Sequence, residues 1–167
     1  MKTVLDVIGK SQFEPDIDIR FRPSACGPVT AYVILNYHLS ENTYAVNELY
    51  RFLGSTKIGL FTWRFIRNMK KLLGEEWTVE KCAIDDVIDE IDHGRPVAAK
   101  FDKWFRFHWR GKFAFDYHWV PVVGYEKIGD DLVLIVHDNG GRNQASQLRR
   151  ISYWGNRSVL TFVKIKK

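Results

Sequence analysis

The pattern of apolar residues changes once along this chain, and that change limits the folds it can adopt. Residues 26–93 read mainly as helix, whereas residues 96–165 read mainly as strand and are rich in Val and Tyr. Helices followed by antiparallel strands predict an α+β domain. Since the 167 residues contain no repeat, low-complexity segment or linker, we expect a single domain over residues 1–167.

Glycines mark the ends of several predicted helices. Gly54 and Gly74 each follow a helical stretch, and His93 with Gly94 ends the last one. Together with the apolar pattern they predict four helices, over about 26–38, 46–53, 61–73 and 85–93. The predicted strands cover about 78–82, 96–101, 118–126, 132–137 and 159–165.

Several protein classes are excluded by composition. No apolar run approaches the ~20 residues that a membrane span needs. The N-terminal residues reach an acid at Asp6 without a long apolar stretch, so we expect no signal peptide. The two cysteines, Cys26 and Cys82, do not make the disulfide framework of a small secreted domain. These observations favour a cytoplasmic location.

The positive charge is concentrated near the C-terminus. The net charge is +5, and the segment from Gly141 to Lys167 holds seven basic residues and no acidic one. Such a segment can attract acidic partners or nucleic acid. No nucleic-acid motif accompanies it, so we favour a solvated face of C-terminal strands and expect no nucleic-acid partner.

Cys26 is the residue with the clearest chemical signal. It directly precedes Gly27 and Pro28 at the start of the first predicted helix, where free backbone N–H groups and the helix dipole favour an anion. A thiolate there has a depressed pKa, whereas a free thiol with a pKa of about 8.5 is only slightly ionised at neutral pH. Gly27 also permits close approach of a substrate backbone. Cys82, which has no base beside it, reads as a small buried apolar residue.

A nucleophilic cysteine needs a base and a group that orients the base. His118 opens a predicted strand, and Asp138 ends the next strand, twenty residues later. A two-residue turn at Gly129-Asp130 would point these side chains to opposite faces of the hairpin. A three-residue turn would make them diagonal neighbours on one face, about 7 Å apart. We therefore predict an odd-length turn, or a bulge with the same effect.

These segments, in this order, resemble a family. Cys26–Thr30 opening a helix, then Gly94–Val97, then His118–Tyr125 and finally Asp138 resemble the bacteriocin-processing, C-39-like type of papain-like cysteine peptidase, over about residues 17–165. The resemblance implies a papain-like fold, with a helical lobe over about 26–93 packed on a sheet over about 96–165. It also implies Cys26 as the nucleophile, His118 as the base and Asp138 as its orienting partner.

The chain departs from that family at the oxyanion position. The family carries a Gln about six residues before the cysteine, and here that position is Arg20. Arg20 could supply guanidinium donors to an oxyanion, or it could form a permanent ion pair with an acid. Gln12 lies further upstream and could reach the site only along a different loop path. Loss of one oxyanion donor costs about 10²–10³ in rate, so the change from glutamine to Arg20 bears on how efficient a peptidase this chain can be. It does not affect the fold.

A dense aromatic segment precedes His118. Residues 101–119 contain nine aromatic side chains with four cations among them. One interpretation is an insertion folded back on the sheet as a satellite core. The other is a lid or cleft wall that offers apolar subsites, with Trp104 and Trp119 as cleft residues beside Gly27. The nine aromatic residues are Phe101, Trp104, Phe105, Phe107, Trp109, Phe113, Phe115, Tyr117 and Trp119.

Two functions from different classes remain open. The first is a thiol hydrolase that cleaves a peptide or amide bond through an acyl-enzyme, needs no metal or organic cofactor, and has a peptide or protein as substrate. The second is a catalytically weak or inactive papain-like module that binds a peptide or protein partner. Reactivity of Cys26 toward alkylating reagents separates the two.

Overall fold

Helices pack on both faces of one antiparallel sheet in the computed structural model, which describes residues 1–41, 44–108 and 110–167. A short 3₁₀ turn at Arg22–Ser24 leads into the first helix. None of the described helices is long and apolar enough to cross a membrane. The helices are α1 (Cys26–His38), α2 (Val46–Phe52), α3 (Thr62–Leu73), α4 (Ile84–Asp92) and α5 (Tyr153–Asn156).

Seven strands of the described residues form the sheet, in the order β2-β7-β3-β4-β5-β6. The short strand β1 pairs with the far half of β4, on the side of β4 that does not face β5. The strands are β1 (Lys2–Val4), β2 (Thr78–Cys82), β3 (Val97–Asp102), β4 (Tyr117–Ile128), β5 (Asp131–Asp138), β6 (Gln147–Ser152) and β7 (Leu160–Lys166).

The predicted α+β class is confirmed, and the predicted elements are present with small shifts at their ends. The first helix and the strand β2 have the predicted bounds. Three short elements were not predicted from the sequence: β1, β6 and α5. The strand β6 has an exposed, polar sequence that includes Arg149 and Arg150, which is typical of a sheet edge and lacks an apolar alternation.

The two faces of the sheet bury different sets of side chains. Ala98, Trp119 and Val163 face the helices α1, α2 and α3. Val120 and Val136 belong to the core on the opposite face, against α4. Because successive strand residues point to opposite faces, the start of β4 presents neighbouring residues to both cores. This arrangement brings the first turn of α1 close to the start of β4.

The basic C-terminal segment is neutralised within the fold. Five of its seven cations form ion pairs with acidic side chains elsewhere in the described chain. This pairing matches the expectation of a solvated face of C-terminal strands. The five are Arg149, Arg150, Lys164, Lys166 and Lys167.

Candidate active site

Cys26 is the first residue of α1, and its sulfur lies among hydrogen-bond donors. The helix cap Ala25 supplies no side-chain acceptor to the amides of the first turn. The backbone N–H groups of Gly27 and Trp119 help to lower the pKa of the Cys26 thiol. These donors and the helix dipole favour the thiolate over the thiol. The residue itself is 4% exposed.

The imidazole of His118 lines the same cleft as Cys26 and is the side chain that stabilises its thiolate. Burial alone would raise the pKa of the thiol, but His118 and the backbone donors outweigh it and lower the pKa of Cys26. Burial opposes the charged form of His118 as well, yet Asp138 and Cys26 together raise the pKa of His118 to about 9. Both shifts favour a thiolate–imidazolium pair at neutral pH.

A β-bulge places Asp138 on the same face as His118. The β4–β5 turn has two residues, with Ile128 paired to Asp131, and the register shifts between Val122 and Gly124. The shift restores the same-face relation that a two-residue turn would have broken, so the predicted bulge is confirmed. The Nε2 atom of His118 lies 3.6 Å from Oδ1 of Asp138. The contact with Asp138 therefore uses Nε2 and leaves Nδ1 available to another partner.

Asp138 is shared between His118 and a cation on β6. The guanidinium Nη1 of Arg149 lies 3.1 Å from Oδ2 of Asp138. Although burial opposes ionisation, His118 and Arg149 hold the pKa of Asp138 below its usual value. Arg149 also covers the ring of Phe115, at 4.7 Å from its centroid, and Phe115 packs against His118. The carboxylate therefore stays ionised and in place.

A buried lysine, which the sequence analysis did not single out, lies beneath the site. Lys100 is 5% exposed, and its ammonium lies 5.1 Å from the ring centroid of Tyr117 and 5.6 Å from that of Trp119. Its Nζ atom lies 3.5 Å from Asp102. Burial lowers the pKa of Lys100, while Asp102 and the Cys26 thiolate act in the opposite direction. A cation here adds to the field that stabilises a sulfur anion.

The structure places Gln12, and not Arg20, beside the nucleophile. Gln12 is 6% exposed and lines the same cleft as Cys26. Its Nε2 donates to the Arg22 carbonyl at 2.7 Å, which leaves the second amide hydrogen free to point elsewhere. The Arg20 side chain is 76% exposed and forms an ion pair with Asp18 at 2.6 Å. Arg20 does not line the cleft, so of the two alternatives for its guanidinium the structure has the ion pair with an acid and not the oxyanion donor.

Two predicted cleft residues belong to the core instead. Trp119 is fully buried, stacks on Phe65 at a centroid distance of 4.7 Å, and donates from Nε1 to the Leu60 carbonyl at 3.0 Å. A Cβ atom on Gly27 would lie 2.8 Å from Leu60 Cδ2 and 3.3 Å from Trp119 Cδ1. Gly27 is therefore required by close packing against Leu60 and not by approach of a substrate backbone.

A cleft of about 410 Å³ opens beside Cys26 and His118. Trp104, Phe105 and Tyr117 line it with aromatic surface, so the prediction of Trp104 as a cleft residue agrees with the structure. Residues 57–59 also line the cleft, and none of the lining side chains is acidic. A peptide-sized chain could lie here with a carbonyl carbon next to the sulfur.

The aromatic segment contributes both to the core and to the cleft. Phe101 is buried, and Phe113 and Phe115 pack against the core on the α4 face. Trp104 and Phe105 are about half exposed and line the cleft. Both interpretations therefore hold for parts of the segment, and Trp109 lies outside the described residues.

No group of three or more His, Cys, Asp or Glu side chains that could hold a metal ion is found in the part of the chain that the structure describes. The chemistry that the site itself can supply is nucleophilic and acid–base. A thiolate, an imidazolium that can return a proton, and an amide beside them are the groups that acyl transfer requires.

Comparisons with known proteins bear on the fold and on the family. Two solved structures share the fold at low sequence identity, and their fold is papain-like. The peptidase domain of Streptococcus ComA, a bi-functional ABC transporter involved in a quorum-sensing pathway, has a TM-score of 0.56 and 17% identity over 97% of each chain. A protein from Bacillus anthracis assigned as a C39-like peptidase has a TM-score of 0.70 and 14% identity, over 100% of this chain and 98% of its own.

A search of curated protein sequences finds no match to this chain. The model of the Peptidase_C39 like family, in contrast, matches residues 4–162. Since that match spans nearly all of the 167 residues, this chain belongs to the Peptidase_C39 like family.

Proposed function

We propose that this protein is a cysteine peptidase, a thiol hydrolase that cleaves a peptide or amide bond through Cys26, His118 and Asp138. The observation that carries the proposal is the placement of Cys26 and His118 at one cleft, with a lowered pKa of the thiol and a raised pKa of the imidazole. The half-buried Cys82 shows the opposite behaviour, since partial burial raises its pKa to about 12.

In the proposed reaction the Cys26 thiolate attacks the carbonyl carbon of the substrate. The oxygen of that carbonyl becomes an oxyanion, which the backbone N–H of Cys26 and the side-chain amide of Gln12 stabilise. His118 gives its proton to the leaving amine as the C–N bond breaks, and an acyl-enzyme remains. His118 then deprotonates a water molecule, which attacks the acyl carbon. The C–S bond breaks, the acid is released, and the thiolate–imidazolium pair is restored. Asp138 holds the ring orientation throughout.

A module that binds a peptide without cleaving it is the second candidate. It is favoured by the 4% exposure of Cys26 and by the ion pair that Arg149 forms with Asp138, since the carboxylate then serves two partners. Such a module would use the aromatic wall of the cleft for recognition. Its sulfur would be unreactive toward peptide-like electrophiles.

Mass spectrometry after treatment with a peptide-like electrophilic probe tests the proposal. We expect stoichiometric labelling of Cys26 and none of Cys82 in the same chain, because only Cys26 combines a stabilised thiolate with a cleft. The Cys26→Ser variant serves as the control and should take up no probe. Equal, slow labelling of both cysteines would refute the hydrolase and favour the binding module.

A further inference from the structure

Asn139 follows β5 directly and is buried completely. Its Nδ2 atom lies 3.1 Å from the Cys26 carbonyl oxygen, 2.6 Å from the Trp119 carbonyl oxygen and 3.3 Å from the Thr30 hydroxyl. These partners belong to α1 and β4, so one side chain joins the helix that carries the nucleophile to the strand that carries the base. Buried asparagines that serve the fold alone, such as Asn68, have fewer partners.

The orientation of this amide is fixed by chemistry. Backbone carbonyls only accept hydrogen bonds, so the group that faces Cys26 and Trp119 must be the NH₂ end of Asn139. The Oδ1 atom is left buried without a hydrogen-bond partner among the described residues. An unpaired buried oxygen costs free energy. Here it accompanies an NH₂ group whose two hydrogens are shared among three acceptors.

The backbone of Asn139 holds a third part of the site. Its carbonyl accepts the N–H of Gln12 at 2.8 Å. The residue before it is Asp138, and the residue before Trp119 is His118. Asn139 is therefore linked to every part of the site. It forms hydrogen bonds with the backbone of Cys26 and of Gln12, and it follows Asp138 directly in the chain. It also bonds the carbonyl of Trp119, the residue after His118.

We propose that Asn139 is a positioning residue, whose side-chain amide sets the distance between the Cys26 sulfur and the His118 ring. The inference rests on the proposed function. It assigns to Asn139 no contact with substrate, and its effect passes through the carbonyls of Cys26 and Trp119. A shift of about 1 Å at a reacting group can cost about 10²-fold in rate, so a fixed spacing matters here.

The Asn139→Ala variant tests this role through the pH dependence of iodoacetamide alkylation at Cys26. We expect the alkylation rate at pH 6 to fall about tenfold or more and the profile to move toward that of a free thiol, because the sulfur loses its close contact with the imidazolium. With a cleavable peptide, kcat should fall while KM changes little, since Asn139 does not line the cleft.

Asn68→Ala is the matched control. Asn68 is also buried, and it donates to the Leu53 carbonyl at 2.9 Å, away from the site. Its loss should lower the melting temperature and leave the alkylation profile of Cys26 unchanged. If Asn139→Ala lowers the melting temperature in the same way and also leaves the profile unchanged, Asn139 is a structural residue only and the inference is wrong.

A milder change keeps the inference testable if Asn139→Ala does not fold. Thr30→Val keeps the side-chain volume but removes the hydroxyl that donates to the Cys26 carbonyl at 2.8 Å and accepts from Asn139. We expect a smaller fall in the alkylation rate of Cys26 at pH 6, about threefold, and an unchanged profile would contradict the inference.

Failure of the inference can be distinguished from failure of the proposed function. If Cys26 of the unmodified protein reacts no faster than Cys82, the proposed function fails.

Discussion

Replacing His118 with alanine is expected to lower the rate of peptide-bond cleavage by about 10⁴-fold. The imidazole stabilises the Cys26 thiolate before the reaction and gives a proton to the leaving amine during it. Without the ring, burial of the sulfur raises the pKa of Cys26, and the nucleophile is lost at neutral pH. The loss should appear mainly in kcat and not in KM, because the aromatic side chains that line the cleft, Trp104, Phe105 and Tyr117, are untouched. Steady-state cleavage of a fluorogenic peptide measures it.

His93→Ala is the control for that change. His93 follows α4, is exposed, and contacts only Asp89 among the acidic side chains of the described residues. Its removal should leave the rate within a factor of about two, as for other exposed residues. An equal loss in the two variants, or full activity in His118→Ala, would contradict the assignment of His118 as the base.

Gln12→Ala is expected to lower kcat by about 10²–10³-fold, because the side-chain amide is the donor placed beside Cys26 for a developing oxyanion. The matched change Arg20→Ala should leave kcat unaltered. Arg20 occupies the sequence position where the family carries its glutamine, but its guanidinium is bound to Asp18 in solvent. A peptidase assay on the two purified variants compares them directly.

The Gln12 amide also bonds the Arg22 carbonyl, so loss of structure must be separated from loss of catalysis. Circular dichroism and the labelling of Cys26 by a small alkylating reagent provide this control, since neither needs an oxyanion donor. The Gln12→Ala variant should keep the circular dichroism spectrum and the Cys26 labelling rate of the unmodified protein. A large loss of kcat in Arg20→Ala with none in Gln12→Ala would reverse the assignment.

The sequence predicted the parts of the site that depend on local structure. Pro28 fixes the start of α1, which places Cys26 at a helix N-terminus. The alternation in β4 and β5 located His118 and Asp138, and the spacing of the hairpin showed that a bulge or an odd turn was needed. Every one of these features rests on residues that are neighbours in the sequence or partners across one hairpin.

The parts that could not be predicted depend on packing between distant segments. Gln12 lies in an irregular stretch before α1, so no periodicity showed that its path returns to the cleft. Asn139 reads as an ordinary turn residue until α1 is packed on β4. Trp119 and Gly27 appeared to belong to the cleft because they adjoin His118 and Cys26, but Leu60 packs against both and buries them.

Alkylation of the unmodified protein as a function of pH tests the central claim, that Cys26 and His118 form a thiolate–imidazolium pair, most directly. At pH 6 we expect Cys26 to react with iodoacetamide about 100-fold or more faster than Cys82, because only the thiolate is nucleophilic. The rate at Cys26 should stay high up to the pH of about 9 at which His118 loses its proton, while Cys82 stays slow. A Cys26 rate that is low at pH 6 and rises with the pKa of an ordinary thiol would contradict the ion pair.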